Sequence, residues 1–151
     1  MTTRILALVG GFALCVLLAC GDYASAQPPP VPGTVTWDKD YPKVVDPVGF
    51  PMPKQGGVVV YGTSNPANGW ARGTAGLFYI PQAGGVTNST ELKHIDGVWG
   101  WNDPNGKIVP AEVYIGKGDW VIWVNVVFTR QNNGKTETVI VCSAFKNVTV
   151  K

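Results

Sequence analysis

DWVIWVNVVFTR, residues 119–130, is the stretch of sequence that decides the fold. Its side chains alternate between two sets, and a period of two is the pattern of a β-strand whose faces have different surroundings. One face carries Trp120, Ile122, Val124, Val126 and Phe128. The other face carries Val121, Trp123, Asn125, Val127 and Thr129. The first face is entirely apolar, so we expect it to pack into the core.

The residues after this strand predict its partner. Asn133-Gly134 is a dipeptide preferred in two-residue hairpin turns, because both central positions need positive φ. Residues 136–145 then form a second run rich in Thr, Val and Ile. We expect the two strands to be antiparallel neighbours, with residues 119–130 at the centre of the sheet. The run that ends at Cys142 is apolar on both faces, which predicts a buried thiol in a central strand.

The rest of the chain repeats this β pattern. Runs rich in Val, Ile, Trp and Tyr alternate with clusters of Gly, Pro, Asn and Asp, and no segment sustains a helical period. Seven or eight strands are expected, at residues 34–37, 57–63, 74–80, 92–101 with a break near Asp96-Gly97, 111–115, 119–130, 136–145 and 147–150. Residues 41–55 contain four prolines and are expected to form an irregular crossing or an edge segment.

Residues 115–150 resemble the last third of bacterial immunoglobulin-like and PKD-like extracellular domains. They contain a turn ending in Gly, an aromatic residue, alternating Val and Ile, an Asn-Gly hairpin and a final Val-Thr-Val strand. The resemblance implies that residues 34–151 form an all-β domain, an immunoglobulin-like antiparallel β-sandwich. The pair of inter-sheet cysteines found in antibody-type domains is absent. Such domains usually act as spacers, adhesion modules or ligand-binding modules, and the resemblance transfers no particular site.

A second resemblance concerns VPGTVTW, residues 31–37. This segment is similar to the opening strand of carboxypeptidase-regulatory-like, transthyretin-type domains. The Asp-Gly-Lys-Pro hairpin expected next in those domains is replaced here by DKDYP, residues 38–42. A transthyretin-type domain is therefore ranked third among the interpretations of this chain, after the two that are given at the end of this subsection.

The N-terminal segment predicts export. Arg4 precedes the apolar or small residues 5–19, and Ala24-Ser25-Ala26 forms a small-x-small cleavage site, so residues 1–26 match a secretory signal peptide. The apolar run is shorter than the roughly 20 residues that a membrane-spanning helix needs. Residues 17–20 also resemble a bacterial lipobox, in which Cys20 would be lipidated. The expected location is extracytoplasmic in either case: secreted, periplasmic or attached to the envelope.

Composition and charge limit the classes of molecule that the chain is expected to bind. Residues 27–33 are rich in proline and predict a linker. The chain has 12 basic and 10 acidic residues, a balance that gives no electrostatic case for nucleic acid or anionic lipid. The expected contact with a membrane is therefore only through a lipid on Cys20. With three cysteines, two of them within the first 20 residues, the domain is expected to fold without an internal disulfide.

No motif predicts catalysis. His94 is the only histidine, and Asp96 follows it at a spacing that could place both on one side of a strand. A nearby hydroxyl would complete a triad, but the chain has no Gly-x-Ser-x-Gly elbow. We interpret His94 as an exposed histidine near a strand end and expect no catalytic residue and no enzyme.

No metal or cofactor is expected either. The sequence lacks the paired His or Cys spacings that hold zinc. Asp38 with Asp40, and residues 102–106, place carboxylate and amide oxygens at the close spacing that suits calcium. The same residues are ordinary turn formers, and we interpret both groups as turns.

Three tryptophans are the candidate ligand-binding residues. Trp99 and Trp101 lie two residues apart and should share one face of a strand, and Trp123 lies on the less apolar face of the long strand. Exposed aromatic rings stack on the apolar faces of sugar rings; buried ones fill the core.

The expected function is a non-catalytic, exported interaction or structural module of the cell envelope or surface. The alternative is a small carbohydrate-binding protein that uses Trp99, Trp101 and Trp123. The expected partner is an unidentified protein or polysaccharide at the cell surface.

Overall fold

The structure, a computed structural model, describes residues 31–47 and 56–151. The expected signal peptide, Cys20 and the first part of the expected linker lie outside the described residues. Within the described ranges the chain forms twelve strands and no helix. The strands are β1 (Gly33–Trp37), β2 (Lys43–Val45), β3 (Gly57–Val60), β4 (Gly62–Pro66), β5 (Ala71–Pro81), β6 (Asn88–Ile95), β7 (Val98–Asn102), β8 (Ile108–Val109), β9 (Ala111–Tyr114), β10 (Gly118–Asn132), β11 (Lys135–Cys142) and β12 (Lys146–Val150).

The strands form two antiparallel sheets. Nine strands belong to the larger sheet, in the order β1-β4-β7-β6-β5-β10-β11, with β12 also paired to β10 and β8 to β7. The smaller sheet has the order β2-β3-β9. Strand β1 also contacts β10 and β11, and the indole nitrogen of Trp37 donates a hydrogen bond to the Ala144 carbonyl at 2.8 Å. The all-β architecture is therefore a sandwich that comes close to closing into a barrel.

The long C-terminal hairpin matches its sequence prediction. β10 and β11 pair antiparallel from Asn125 with Cys142 to Asn132 with Lys135. Asn133 and Gly134 connect them with φ values of 50° and 75°, as a two-residue hairpin turn requires. β10 also pairs with β5 on one side and with β12 on the other, so it is an interior strand, but it stands next to last on the path of the larger sheet and not at its centre as expected.

The apolar stripe of β10 forms the middle of the core. Ile122, Val124, Val126 and Phe128 are completely buried, and Trp120 packs against the same cluster. The smaller sheet faces this stripe and adds side chains from β3 and β9 to the cluster, namely Val58, Val60, Ala111 and Val113. Burial of these side chains between two layers is the main force that holds the sandwich together.

Several boundaries differ from the sequence prediction. The described residues form twelve strands where seven or eight were expected. Residues 57–63, for example, are divided between β3 and β4, and the short strands β2 and β8 were not predicted. The break expected near Asp96-Gly97 separates β6 from β7. Gly33, expected in the linker, already belongs to β1. The proline-rich residues 41–55 contain β2, which is an edge strand, and residues 48–55 lie outside the described ranges.

The prediction of a central strand around Cys142 is wrong. β11 is the last strand on the path of the larger sheet, and Cys142 is only half-buried. An apolar run on both faces suggested a fully covered strand, but residues 139–142 are all only half-buried.

Candidate functional site

A cleft lined by residues of both sheets is the candidate binding site. It has a volume of about 510 Å³, within the ~300–1,000 Å³ range of typical ligand sites. Its described lining residues come from β6, β7 and β9 and from the bend before β9: Thr90, Trp101, Pro110, Glu112, Val113 and Tyr114.

Two aromatic side chains line the cleft from opposite sheets. Trp101 on β7 is 50% exposed, and Tyr114 on β9 is 48% exposed. Large aromatic side chains bury much apolar area when they are covered, so leaving two of them half-open in one cleft retains apolar surface for another molecule. The arrangement suits a flat ligand with apolar faces.

Pro110 explains why the cleft has walls from both sheets. β8 pairs with β7 in the larger sheet, whereas β9 pairs with β3 in the smaller one. Pro110 is the one residue between β8 and β9, and its missing N–H makes it suitable for a break in strand pairing. The chain therefore crosses between the layers beside Trp101.

Trp99 and Trp101 have different environments although they lie two residues apart. Trp99 has no exposed surface, and its ring makes an edge contact with Trp37 at a centroid distance of 5.1 Å. Its indole nitrogen donates to the Thr63 carbonyl at 3.2 Å. β4 pairs with β7 only as far as Trp99, whereas Trp101 lies in the part of β7 that pairs with β8.

Trp123 is buried on the outer face of the larger sheet, with only 1% of its surface exposed. Phe78, its cross-strand neighbour on β5, stacks on it at 5.8 Å, and Phe145 contacts it edge-on at 5.3 Å. Of the three tryptophans expected to bind a ligand, only Trp101 offers a half-exposed ring. An aligned row of Trp99, Trp101 and Trp123 does not exist.

His94 is half-buried and bonded on both ring nitrogens, contrary to the expectation of an exposed side chain. Nδ1 lies 3.0 Å from the Gly73 carbonyl, and Nε2 lies 2.6 Å from the hydroxyl of Ser64. A carbonyl only accepts, so Nδ1 carries the proton and the neutral ring accepts from Ser64 at Nε2. Asp96 instead occupies the tight turn between β6 and β7, with φ at 52°.

The surroundings of His94 favour its neutral form. Burial is the largest influence and lowers the pKa of His94 below its ordinary value of 6.5; the Gly73 hydrogen bond raises it, and the positive charge of Arg72 lowers it. Arg72 also donates from Nε to the Ser64 carbonyl at 3.1 Å. Ser64 itself has no exposed surface, so its hydroxyl is closed to a substrate in this conformation.

Both suspected calcium-binding groups form turns. Oδ1 of Asp103 accepts from the amides of Asn105 at 2.9 Å and Lys107 at 2.8 Å, and Oδ1 of Asp38 accepts from the Asp40 amide at 3.1 Å. In the part of the chain that the structure describes, no group of three or more His, Cys, Asp or Glu residues is arranged to hold a metal.

The described residues contain no helix long and apolar enough to span a membrane.

A second, smaller groove lies on the outer face of the larger sheet. Its volume is about 300 Å³, and Gly76, Phe78, Val127 and Ile140 line it together with polar residues. Its aromatic ring, Phe78, already stacks on Trp123. The groove therefore offers less aromatic surface than the cleft at Trp101.

Sequence reasoning missed Glu112 and Tyr114 as members of a site. Both alternate with the buried Ala111 and Val113, which is the ordinary pattern of a half-buried strand. Only the bend at Pro110 brings this strand beside Trp101, and the sequence carries no signal of that pairing. Ser64 was also missed, because it lies 30 residues before His94 and no local pattern indicates a contact over that distance.

No protein-family model matches the chain, and no curated protein or solved structure is significantly similar to it. The site must therefore be interpreted from its own geometry.

Proposed function

We propose that this chain is a non-catalytic, exported interaction module that binds a saccharide in the cleft between Trp101 and Tyr114. The observation that carries the proposal is the pair of half-exposed aromatic rings in one cleft. Sugar rings present C–H faces that pack on aromatic rings and hydroxyls that bond to polar neighbours. Thr90 and Glu112 supply such neighbours.

Two further features support a binding role over a catalytic one. The imidazole of His94 is hydrogen-bonded to both Ser64 and Gly73, and Ser64 has no surface exposed to solvent. The resemblance of residues 115–150 to bacterial immunoglobulin-like domains favours the same class of role, as a spacer, adhesion or ligand-binding module. An immunoglobulin-like arrangement of the sandwich is part of this proposal.

Fluorescence titration of the purified protein tests saccharide binding. Soluble hexasaccharides of glucose and of xylose are added, and tryptophan emission is recorded together with the heat of binding. We expect a blue shift from Trp101 on binding, and a loss of affinity of about tenfold or more in Trp101→Ala and in Tyr114→Ala. Ile95→Ala removes an exposed apolar side chain outside the cleft and should leave the affinity unchanged.

The melting temperature of each variant is measured in parallel. Loss of binding with an unchanged melting temperature supports the cleft as the ligand site. If no saccharide binds, or if only an extended peptide such as oligoproline binds, the saccharide proposal is overturned.

Export is tested by the mass of the mature N-terminus. Cleavage after Ala26 gives a chain that begins at Gln27, whereas lipidation gives an acylated Cys20. Either product in the envelope or medium supports an extracytoplasmic module, and an intact Met1 in the cytoplasm contradicts it.

A further inference from the structure

We infer that the cleft selects uncharged or amine-bearing saccharides and rejects acidic ones, and that Glu112 is the residue that makes this selection. The inference rests on the proposed function, since it names the class of saccharide for the same site. Glu112 is the one charged side chain among the described residues that line the cleft. For a charged group on a sugar bound in the cleft, the carboxylate of Glu112 is therefore the charged neighbour within the lining.

The position of Glu112 is fixed by its strand. Its neighbours Ala111 and Val113 are buried in the core, and β9 pairs with β3 along its whole length. The backbone of Glu112 therefore stays in the wall of the cleft. Tyr114, two residues further along, lies on the same face of the strand, so a ligand on the tyrosine ring lies close to the carboxylate.

The carboxylate is available to a ligand. Within residues 31–47 and 56–151, Glu112 forms no ion pair and no side-chain hydrogen bond. Arg130, by contrast, pairs with Glu137, and Lys93 lies 3.8 Å from Glu91. A carboxylate accepts hydrogen bonds from sugar hydroxyls and more strongly from an ammonium group.

The aromatic rings add to the same preference. The faces of Trp and Tyr carry negative electrostatic potential, which attracts a cation and disfavours an anion. Trp101, Tyr114 and Glu112 thus all oppose a uronic acid or a sulfated sugar. A neutral sugar meets no such penalty, and an amino sugar gains attraction from each of the three groups.

Three matched β-1,4-linked hexasaccharides test the inference. Cellohexaose is neutral, its C6-oxidised derivative carries carboxylates, and fully deacetylated chitohexaose carries amines. We expect the oxidised sugar to bind about three- to fivefold more weakly than cellohexaose and the amine-bearing sugar about three- to fivefold more tightly at low salt. Both differences should shrink as salt is raised, because the charges involved are exposed.

Glu112→Gln keeps the size and hydrogen bonding of the side chain and removes its charge. In this variant we expect the ratios between the three affinities to fall towards one, and we expect cellohexaose itself to bind more weakly, because its hydroxyls lose a charged acceptor. Glu91→Gln is the matched control, since it removes a charge next to Thr90 that does not line the cleft, and it should preserve the order of affinities.

The outcomes separate the two proposals. If cellohexaose binds but the oxidised sugar binds equally well or better, the charge selection is overturned and the saccharide site stands. If Glu112→Gln keeps the original order of affinities, Glu112 is not the selecting residue and the inference is also overturned. If none of the three sugars binds, the proposed function itself fails.

Discussion

The hydroxyl of Ser64 lies 2.6 Å from Nε2 of His94, although their strands β4 and β6 are separated in the sheet by β7. The contact crosses the end of β7 at the Asp96-Gly97 turn, where the Ser64 amide also donates to the Gly97 carbonyl at 2.7 Å. Because His94 bonds the Gly73 carbonyl of β5 through its other nitrogen, one imidazole ring joins three strands. Burial of the ring and the nearby charge of Arg72 favour its neutral form.

The first prediction concerns pH. The unfolded chain binds a proton at His94 near pH 6.5, whereas the folded chain, with its lowered pKa, binds it only at lower pH. Between those two values the unfolded state holds more protons, so the free energy of unfolding should fall as pH is lowered from about 6.5 towards the folded pKa. Urea unfolding between pH 8 and pH 5 measures this loss.

His94→Gln is the control for this prediction, since glutamine keeps a donor and an acceptor but does not titrate. We expect the slope below pH 6.5 to flatten in this variant. A slope that is the same in both proteins would assign the pH dependence to other groups.

The second prediction separates Trp99 from Trp101. Trp99→Ala should lower the free energy of unfolding by about 3–5 kcal/mol, because it empties a fully covered position beside Trp37. Trp101→Ala should cost less than about 1 kcal/mol, because half of the ring already contacts solvent. Urea denaturation of both variants decides the matter, and equal losses would contradict the assignment of Trp101 to the open cleft.

The third prediction concerns Gly62, which lies directly under the ring of Trp99. A Cβ at this position would lie 2.1 Å from the indole ring and 2.4 Å from the Thr36 carbonyl oxygen. Gly62→Ala should therefore destabilise the fold by about 1–3 kcal/mol through overpacking. Thr63→Ala on the same strand changes an exposed side chain and should shift the unfolding midpoint far less. Comparable unfolding midpoints for the two variants would show that the ring of Trp99 does not pack against Gly62.

The fourth prediction concerns the hairpin between β10 and β11. Gly134 has a φ of 75° with no atom within 4 Å of an added Cβ, so Gly134→Ala tests backbone conformation without a clash. We expect a loss of about 1 kcal/mol in thermal or urea unfolding. Asn133→Gly, at a neighbouring positive φ of 50°, should cause little or no loss. A neutral Gly134→Ala variant would indicate a different turn.

Local patterns predicted the centre of the fold well. The alternation in residues 119–130 identified the buried face of β10, and Asn133-Gly134 identified the hairpin, because both signals act between residues close in the chain. The same alternation placed Trp123 on the less apolar face. It could not show that Phe78 and Phe145 cover that face, since one of them lies 45 residues away.

The candidate site was predicted only in part, and the reason is its long-range construction. Trp101 was a candidate because of its residue type, but its half-exposure, unlike the full burial of Trp99, depends on tertiary packing. Tyr114 and Glu112 come to lie beside Trp101 because the chain crosses between the sheets at Pro110. Neither residue propensities nor the alternation of side chains predicts that crossing. Pairings between sheets are decided by packing across the whole domain, so the site became visible only with the fold.

The crossing at Pro110 has a mechanical consequence. Trp101 is anchored in one sheet and Tyr114 in the other, so a molecule that contacts both rings spans the interface between the layers. Such a molecule would act as a clamp, resisting the separation of the two layers that unfolding requires. Occupancy of the cleft should therefore slow proteolysis of the whole domain, and the domain should persist longest where its ligand is abundant.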